Sequence, residues 1–309
     1  MEWQEEPVPA MRTIAERYKI TSPVAQGGMG EVWAGKDLRL NRAVAIKLIS
    51  SADLVSAEDA RRRFSREARI TARLSHPGVP VVYDFGNDGD LFMVMESLPG
   101  DSVGKLKDEC ERLPHPWVAF IGAQVCAVLA AAHDAGLIHR DVKPENLVLC
   151  PNGMVKVIDF GVATTLGAGE FSTITGPGQI PGSARYMAPE LLEGEPASRA
   201  SDLYTVGCLL YELCTGSRPF QHVDLLREIA RSRLEDPPAM EGVPAELEAL
   251  IRRLLAKRPE QRPDSAVTVY QGLRPWIRDL PPLYGWVDRD VSADPVHLYA
   301  AALSGLGLE

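Results

Sequence analysis

The densest cluster of reactive side chains lies in the run His139-Arg140-Asp141-Val142-Lys143-Pro144-Glu145-Asn146. Asp141 can accept or orient a hydroxyl proton. Lys143 can neutralise charge on a moving phosphoryl group, and the Asn146 amide oxygen can ligate a hard metal. Together they suit phosphoryl transfer. Asp159-Phe160-Gly161 follows eighteen residues after Asp141, just past the apolar run Val155–Ile158. A carboxylate at a strand end is well placed as a second metal ligand. Alone, Asp-Phe-Gly is an ordinary turn; at this spacing after this run it is more than that.

Two upstream features fit the same chemistry. Gln26-Gly27-Gly28-Met29-Gly30-Glu31-Val32 places glycines between two strand-like runs, where backbone N–H groups can approach a polyphosphate closely. By itself such a cluster is more often a plain turn. Lys47 closes the apolar run Ala43-Val44-Ala45-Ile46-Lys47. It is either an edge-strand lysine facing solvent or a phosphate-binding lysine beside the glycine loop. The second role needs an acidic partner, which Glu67 can supply; otherwise Glu67 is a solvated helix charge.

The elements that must position these residues are legible in outline. Short β-prone pieces run over Tyr18–Val24, Glu31–Lys36, Ala43–Ile49, Val79–Phe85 and Leu91–Met95, separated by turn formers such as Asn41 and Asn87-Asp88-Gly89. One helix interrupts them, with Ala60, Phe64 and Ala68 at fourfold spacing. After Pro99-Gly100 the pattern turns helical: Trp117–Ala135 stopping at Gly136, Ser201–Thr215 stopping at Gly216, and a helix opened by Pro244. Leu147–Leu149 and Val155–Ile158 read as short strands. A Gly/Ser/Thr-rich segment from Thr164 to Ser183 is too long to be an idle loop.

The assembled order resembles the protein kinase signature set of glycine loop, strand lysine, helix glutamate, H-R-D-x-K-x-x-N, D-F-G and A-P-E, over about Tyr18 to Leu273. The resemblance implies an α+β, two-lobed protein kinase fold: a small five-stranded antiparallel β lobe with one helix (18–98) and a larger, mainly helical lobe (99–275). An N-terminal extension (1–17) and a C-terminal one of unknown role (276–309) flank them. It implies ATP with Mg²⁺, or Mn²⁺ in its place, between the lobes. Asp141 would be the catalytic base and Lys143 would contact the γ-phosphate, while Asn146 and Asp159 would hold the metal. Lys47, paired with Glu67, would bind the α/β-phosphates. Gly27, Gly28 and Gly30 would cover the phosphates, and Val24, Val32, Ala45 and Val148 would enclose the purine. Met95 would stand behind it, with Glu96 and Leu98 in the hinge. Glu190 of Ala188-Pro189-Glu190 would pair with Arg262, and Asp202 would brace the catalytic loop through its backbone.

Lys143 two residues after the aspartate, and Gly182–Glu190 with Ser183 at the P+1 position, resemble the Ser/Thr class. The phrasing of the glycine loop and of 139–146 looks most like bacterial members. Ala25 replaces the first loop glycine, which implies a stiffer loop, and Thr71 stands where an apolar residue is usual. Arg140 before Asp141 implies a phosphate-ordered activation segment, with Thr173 and Thr175 as leading acceptors and Ser172 next. The implied partner is a protein with a Ser/Thr acceptor, together with self-association for trans-autophosphorylation. The alternative is a pseudokinase-type nucleotide-binding module, whose mark would be loss of Lys47, Asp141, Asn146 or Asp159; none is lost.

Bulk properties are consistent with this. The 309 residues are 45% hydrophobic and carry a net charge of −9, which argues against wholesale nucleic-acid or membrane-surface binding. The five cysteines form no C-x-x-C pair and read as reduced thiols of a cytoplasmic protein. The acidic start has no secretory h-region. Val118–Ile138, broken by Gln124, His133 and Asp134, reads as a core helix rather than a membrane span.

Overall fold

The structure is a computed structural model that describes residues 12–27, 30–49, 65, 68–69, 71–159, 182–278 and 280–287. These fall into two compact units, one formed by the chain up to Ala72 with Pro80–Leu98, the other by Arg73–Val79 with the chain from Pro99 onward. Segment 73–79 therefore belongs with the helical unit, inside the 18–98 stretch assigned above to the small lobe. The Gly78 carbonyl accepts from Val157 N–H at 2.7 Å.

The first unit is a six-stranded antiparallel sheet in the order β1-β2-β3-β4-β6-β5. Its strands are β1 (Thr13–Ile14), β2 (Tyr18–Gly27), β3 (Gly30–Asp37), β4 (Arg42–Ile49), β5 (Val82–Asp88) and β6 (Asp90–Glu96). Five strands were expected; the sixth, β1, comes from the stretch assigned to the N-terminal extension. Two residues give no readable alternation, but Ile14 is buried and joins the core of Tyr18, Ile20, Val44, Ile46, Phe92 and Val94 on one sheet face. Behind that core Asp37 is fully buried, and Arg17 forks onto both of its carboxylate oxygens at 2.9 and 2.7 Å. The Arg17 hydrogen bond, aided by the backbone N–H groups of Leu40 and Arg39, holds the Asp37 carboxyl down at about 2.

The second unit is built on α2 (His115–Asp134), following α1 (Val103–Glu109). α2 is long and apolar enough to cross a membrane, yet 83% of its most apolar window is buried inside the protein. Its two interior polar residues explain this. Gln124 donates to the Gly153 carbonyl and accepts from Val155 N–H, and His133 Nε2 donates to Asp202 at 2.8 Å. Such groups would be costly in lipid and here each has a partner. Gly136 ends the helix at φ +72°.

A three-stranded sheet, β7 (Asp101–Ser102), β8 (Leu147–Leu149) and β9 (Val155–Val157), presents the catalytic loop. Then come α3 (Pro189–Leu192), α4 (Arg199–Thr215), α5 (Leu225–Leu234), α6 (Ala245–Leu254) and α7 (Ala266–Leu273). α4 starts earlier than its apolar repeat suggests. Ser198 is the N-cap, and it exchanges hydrogen bonds with Ser201 in a capping box, so Ser201, where the helix was expected to start, is the third helical residue. Among the cysteines, Cys126, Cys150, Cys208 and Cys214 are buried and Cys110 is half-buried; none forms a disulfide.

Part of the C-terminal extension docks on this unit. Leu283 is buried, the Pro281 carbonyl accepts from Trp117 Nε1 at 2.7 Å, and Trp286 Nε1 donates to Glu109 at 2.9 Å. The short amphipathic helix expected at 295–303 lies outside the described residues. Trp117→Phe keeps the ring packed but deletes the donor. It should cost about 1 kcal/mol in urea unfolding and raise protease cleavage within 280–287; unchanged cleavage would show that this hydrogen bond does not hold the segment.

Candidate active site

The sheet register gathers the predicted phosphate and purine residues on one face. Val32 pairs with Lys47, Ala45 with Met95, and Lys47 with Met93. Cross-strand partners point to the same side, so Val32, Ala45, Lys47 and Met95 share the face opposite the Tyr18–Ile46 core. Ala68, Leu91 and Met93 pack on this same face, with Met95 against them. Lys47 is only 3% exposed, so it is not a solvent-facing edge lysine. Its expected partner Glu67 lies outside the described residues, as does Gly28.

The glycine loop is described at its two ends. Gly27 closes β2 and pairs with Gly30. Gly30 has φ +120°, and a Cβ there would sit 2.1 Å from the Leu48 carbonyl oxygen; only glycine fits. Val24 is exposed on β2. Glu96 accepts from Val81 N–H at 3.2 Å, and Leu98 follows β6 half-buried.

In the second unit the catalytic loop is fixed from beneath by a buried carboxylate. Asp202, fully buried at the start of α4, accepts from His139 N–H at 2.9 Å and from Arg140 N–H at 2.8 Å, and takes the His133 ring on the same oxygen as His139. This clamp holds Arg140 at φ +72°, a left-handed conformation that costs a non-glycine residue about 1–3 kcal/mol. His139 is fully buried, and burial lowers its pKa. The neutral ring can therefore accept from Asp141 N–H through Nδ1, at 3.3 Å.

The predicted reacting groups converge on one carboxylate. Lys143 Nζ lies 2.7 Å from Asp141 Oδ2, and Asn146 Nδ2 donates to that oxygen and to the Asp141 carbonyl, both at 2.8 Å. With its amide N–H groups turned to Asp141, Asn146 offers its oxygen, which accepts no hydrogen bond among the described residues. Asn146 is tied to the predicted second ligand through its backbone: its carbonyl accepts from Ile158 N–H at 2.9 Å, and Asp159 follows at φ +54°. One amide oxygen and one carboxylate form a hard-oxygen set. Among the described residues no group of three or more His, Cys, Asp or Glu forms a metal site by itself. The oxygens of Asn146 and Asp159 are donors of the kind Mg²⁺ takes, one or two from protein with phosphate and water completing the shell. Val148 is buried on β8.

The structural pair also forms as expected. Arg262 donates to both Glu190 oxygens at 2.6 and 2.7 Å, and to the carbonyls of Ala256, Ala200 and Lys257. Ser183 lies in the short 3₁₀ turn Gly182–Tyr186, its side chain outside the described residues; so are Ser172, Thr173 and Thr175. Sequence reasoning missed two contributors. His133 completes the Asp202 clamp, and its signal was a histidine inside an apolar helix. Glu212, buried in α4, joins Lys107 at 3.1 Å and the Tyr186 hydroxyl at 2.5 Å; no local spacing links those three.

The clamp gives a direct expectation. Asp202→Asn presents an amide N–H₂ where one oxygen now accepts, leaving a buried donor of His133, His139 or Arg140 unpaired. We expect a loss of about 1–3 kcal/mol in denaturant unfolding and faster amide exchange at Arg140. Unchanged exchange there would mean that the loop is held by something else.

A family profile described as "Protein kinase domain" matches residues 18–273. Over most of its length the chain is similar to bacterial proteins named as serine/threonine-protein kinases. It is 36% identical to PknA of Mycobacterium tuberculosis across 85% of this chain and 63% of that protein. It is 39% identical to PknL of the same species (83% and 64%) and 37% identical to pkn3 of Myxococcus xanthus (82% and 49%). The chain thus spans between about half and just under two-thirds of these relatives' lengths. With the clamped H-R-D loop, the Lys47 face and the Glu190–Arg262 pair all in place, the chain belongs to the protein kinase domain family, among its bacterial Hanks-type members.

Proposed function

We propose that this domain is a protein serine/threonine kinase that transfers the γ-phosphoryl group of ATP to Ser/Thr hydroxyls of proteins, using Mg²⁺. The observation that carries the reading is the Asp141 carboxylate, held by Lys143 Nζ at 2.7 Å and Asn146 Nδ2 at 2.8 Å on a loop pinned by Asp202. Asp141 orients the incoming hydroxyl and takes its proton. Lys143 stays at hand for charge on the transferred group, and Lys47 serves the phosphates from its own sheet face. Asn146 Oδ1 and the Asp159 carboxylate would hold Mg²⁺, which when bound neutralises phosphate charge. The pseudokinase alternative has no supporting observation, since each residue it would lack is present.

We also propose that the domain is switched on by phosphorylating its own 164–183 segment, in trans between copies, with Arg140 as the phosphate's partner. The support is the Ser/Thr content of that segment and the place of Arg140 beside Asp141. Labelled ATP, Mg²⁺ and a generic Ser/Thr protein substrate test the transfer; label should appear on Ser or Thr and vanish with a chelator. Mass spectrometry of wild type and Asp159→Asn, each expressed alone, tests the switch. Equal phosphate at Ser172, Thr173 and Thr175 in both would sink it.

A further inference from the structure

The 3₁₀ turn that carries Ser183 also carries a guanidinium that its surroundings engage through one long ion pair and no hydrogen bond. Glu228 of α5 is 2% exposed and already paired: Arg218 Nε reaches Oε1 at 2.7 Å, while Arg218 Nη2 and His222 N–H reach Oε2 at 3.5 and 3.4 Å. The adjoining buried carboxylate, Glu212, is served by Lys107 and Tyr186, and Lys107 also reaches Asp108 at 3.3 Å. Burial and the Glu212 charge raise the Tyr186 phenol far above its usual range, so it stays a donor. Arg185 comes on top of this. Its Nε is 3.7 Å from Glu228 Oε2, buried, and without a hydrogen bond. The side chain as a whole is 34% exposed. At Glu228, therefore, one buried carboxylate faces two guanidiniums, and the second is half open to solvent. A buried N–H without a hydrogen bond is costly to keep, and a guanidinium is the side chain best shaped for a carboxylate or phosphate.

The turn borders the catalytic loop. The Glu145 carboxylate, two residues past Lys143, acts on the Tyr186 phenol, and Arg185 is the neighbour of Tyr186. On the kinase reading, a peptide whose hydroxyl lies at Asp141 runs its flanking residues past this turn. We propose that Arg185 is a specificity residue that reads an anionic side chain, carboxylate or phosphoester, flanking the acceptor Ser/Thr. This rests on the protein kinase reading and adds a substrate class to it.

The test uses the full chain and a peptide set with one Ser acceptor in a neutral background. Asp, phosphoserine, Asn or Lys is placed in turn at each of the two positions on either side. At one position wild type should show kcat/KM at least tenfold higher for Asp or phosphoserine than for Asn, mainly through KM. Preference for both identifies charge as the signal, whereas preference for phosphoserine alone identifies a phosphoester. The anionic-to-neutral ratio should fall to about one in Arg185→Gln, persist in Arg185→Lys and invert toward Lys peptides in Arg185→Glu. Arg185→Gln leaves the Arg218–Glu228 pair intact, and its melting curve checks folding. Label on the neutral peptide with no anionic preference at any position, or a preference unchanged in Arg185→Gln, would overturn the role of Arg185. Absence of label from every peptide with wild type would instead overturn the kinase reading itself.

Discussion

Asp141→Asn should lower kcat for phosphoryl transfer by about 10²–10⁴-fold, the range associated with losing a positioned general base, while ATP binding changes little. The reason is geometric. Asparagine has the same shape, and its oxygen can still accept from Lys143 and Asn146, which now lie 2.7 and 2.8 Å from Asp141 Oδ2. The loop is held by Asp202 through the backbone of His139 and Arg140, so it should not move. What disappears is the negative charge and the proton acceptor. Steady-state kinetics with a protein substrate, alongside nucleotide titration by fluorescence, separates the two effects. Retention of more than a tenth of wild-type kcat would remove Asp141 from the role of base. Loss of nucleotide affinity in parallel would mean that the carboxylate was structural.

The second large effect should come far from the chemistry. Arg262 is fully buried and gives Glu190 two charge-assisted hydrogen bonds, with three more to carbonyls. Arg262→Met removes the partner and leaves a buried carboxylate, which should cost about 3–5 kcal/mol. Glu190→Gln should cost less, because the amide can still accept from one arm of the fork. Replacing both residues by methionine should recover part of the loss, since no charge is then stranded. Recovery should stay incomplete, because the carbonyls of Ala256, Ala200 and Lys257 lose their donor in either case. Urea unfolding of the three variants provides the comparison. A single variant within about 0.5 kcal/mol of wild type would show that the pair is dispensable.

These expectations also mark what the sequence could convey. Local spacing carried the chemistry: the run 139–146 is a short pattern with few other uses, and its spacing gave a meaning to Asp-Phe-Gly and to Lys47, each of which is ambiguous alone. The split of Ala43–Ile49 into a Val44/Ile46 core face and an Ala45/Lys47 face came only with the register, because an almost wholly apolar run shows no alternation. The losses came where a partner is remote. Lys107 and Glu212 are 105 positions apart, and Trp117 and Pro281 are 164 apart. Nothing in a linear pattern encodes such pairs. β1 was missed because two residues are too few to show a period. The start of α4 was misplaced because two serines three apart can each act as a cap, and only the backbone shows which one does. His133 and Gln124 lie between these cases. A polar residue inside an apolar helix announces that a partner exists without saying which.

The cysteines allow a practical use of this fold. Burial pushes the Cys208 and Cys214 thiols up to about 12 and Cys126 higher still, and Cys150 is sealed from water. At neutral pH Cys126, Cys208 and Cys214 offer almost no thiolate to a reagent, and burial alone shields Cys150. Cys110 is the half-buried one, and it caps the C-terminus of α1, the helix that carries Lys107 and meets Trp286 through Glu109. A maleimide dye added to this chain would mark Cys110 ahead of the other four, placing a fluorophore that reports on α1 during turnover.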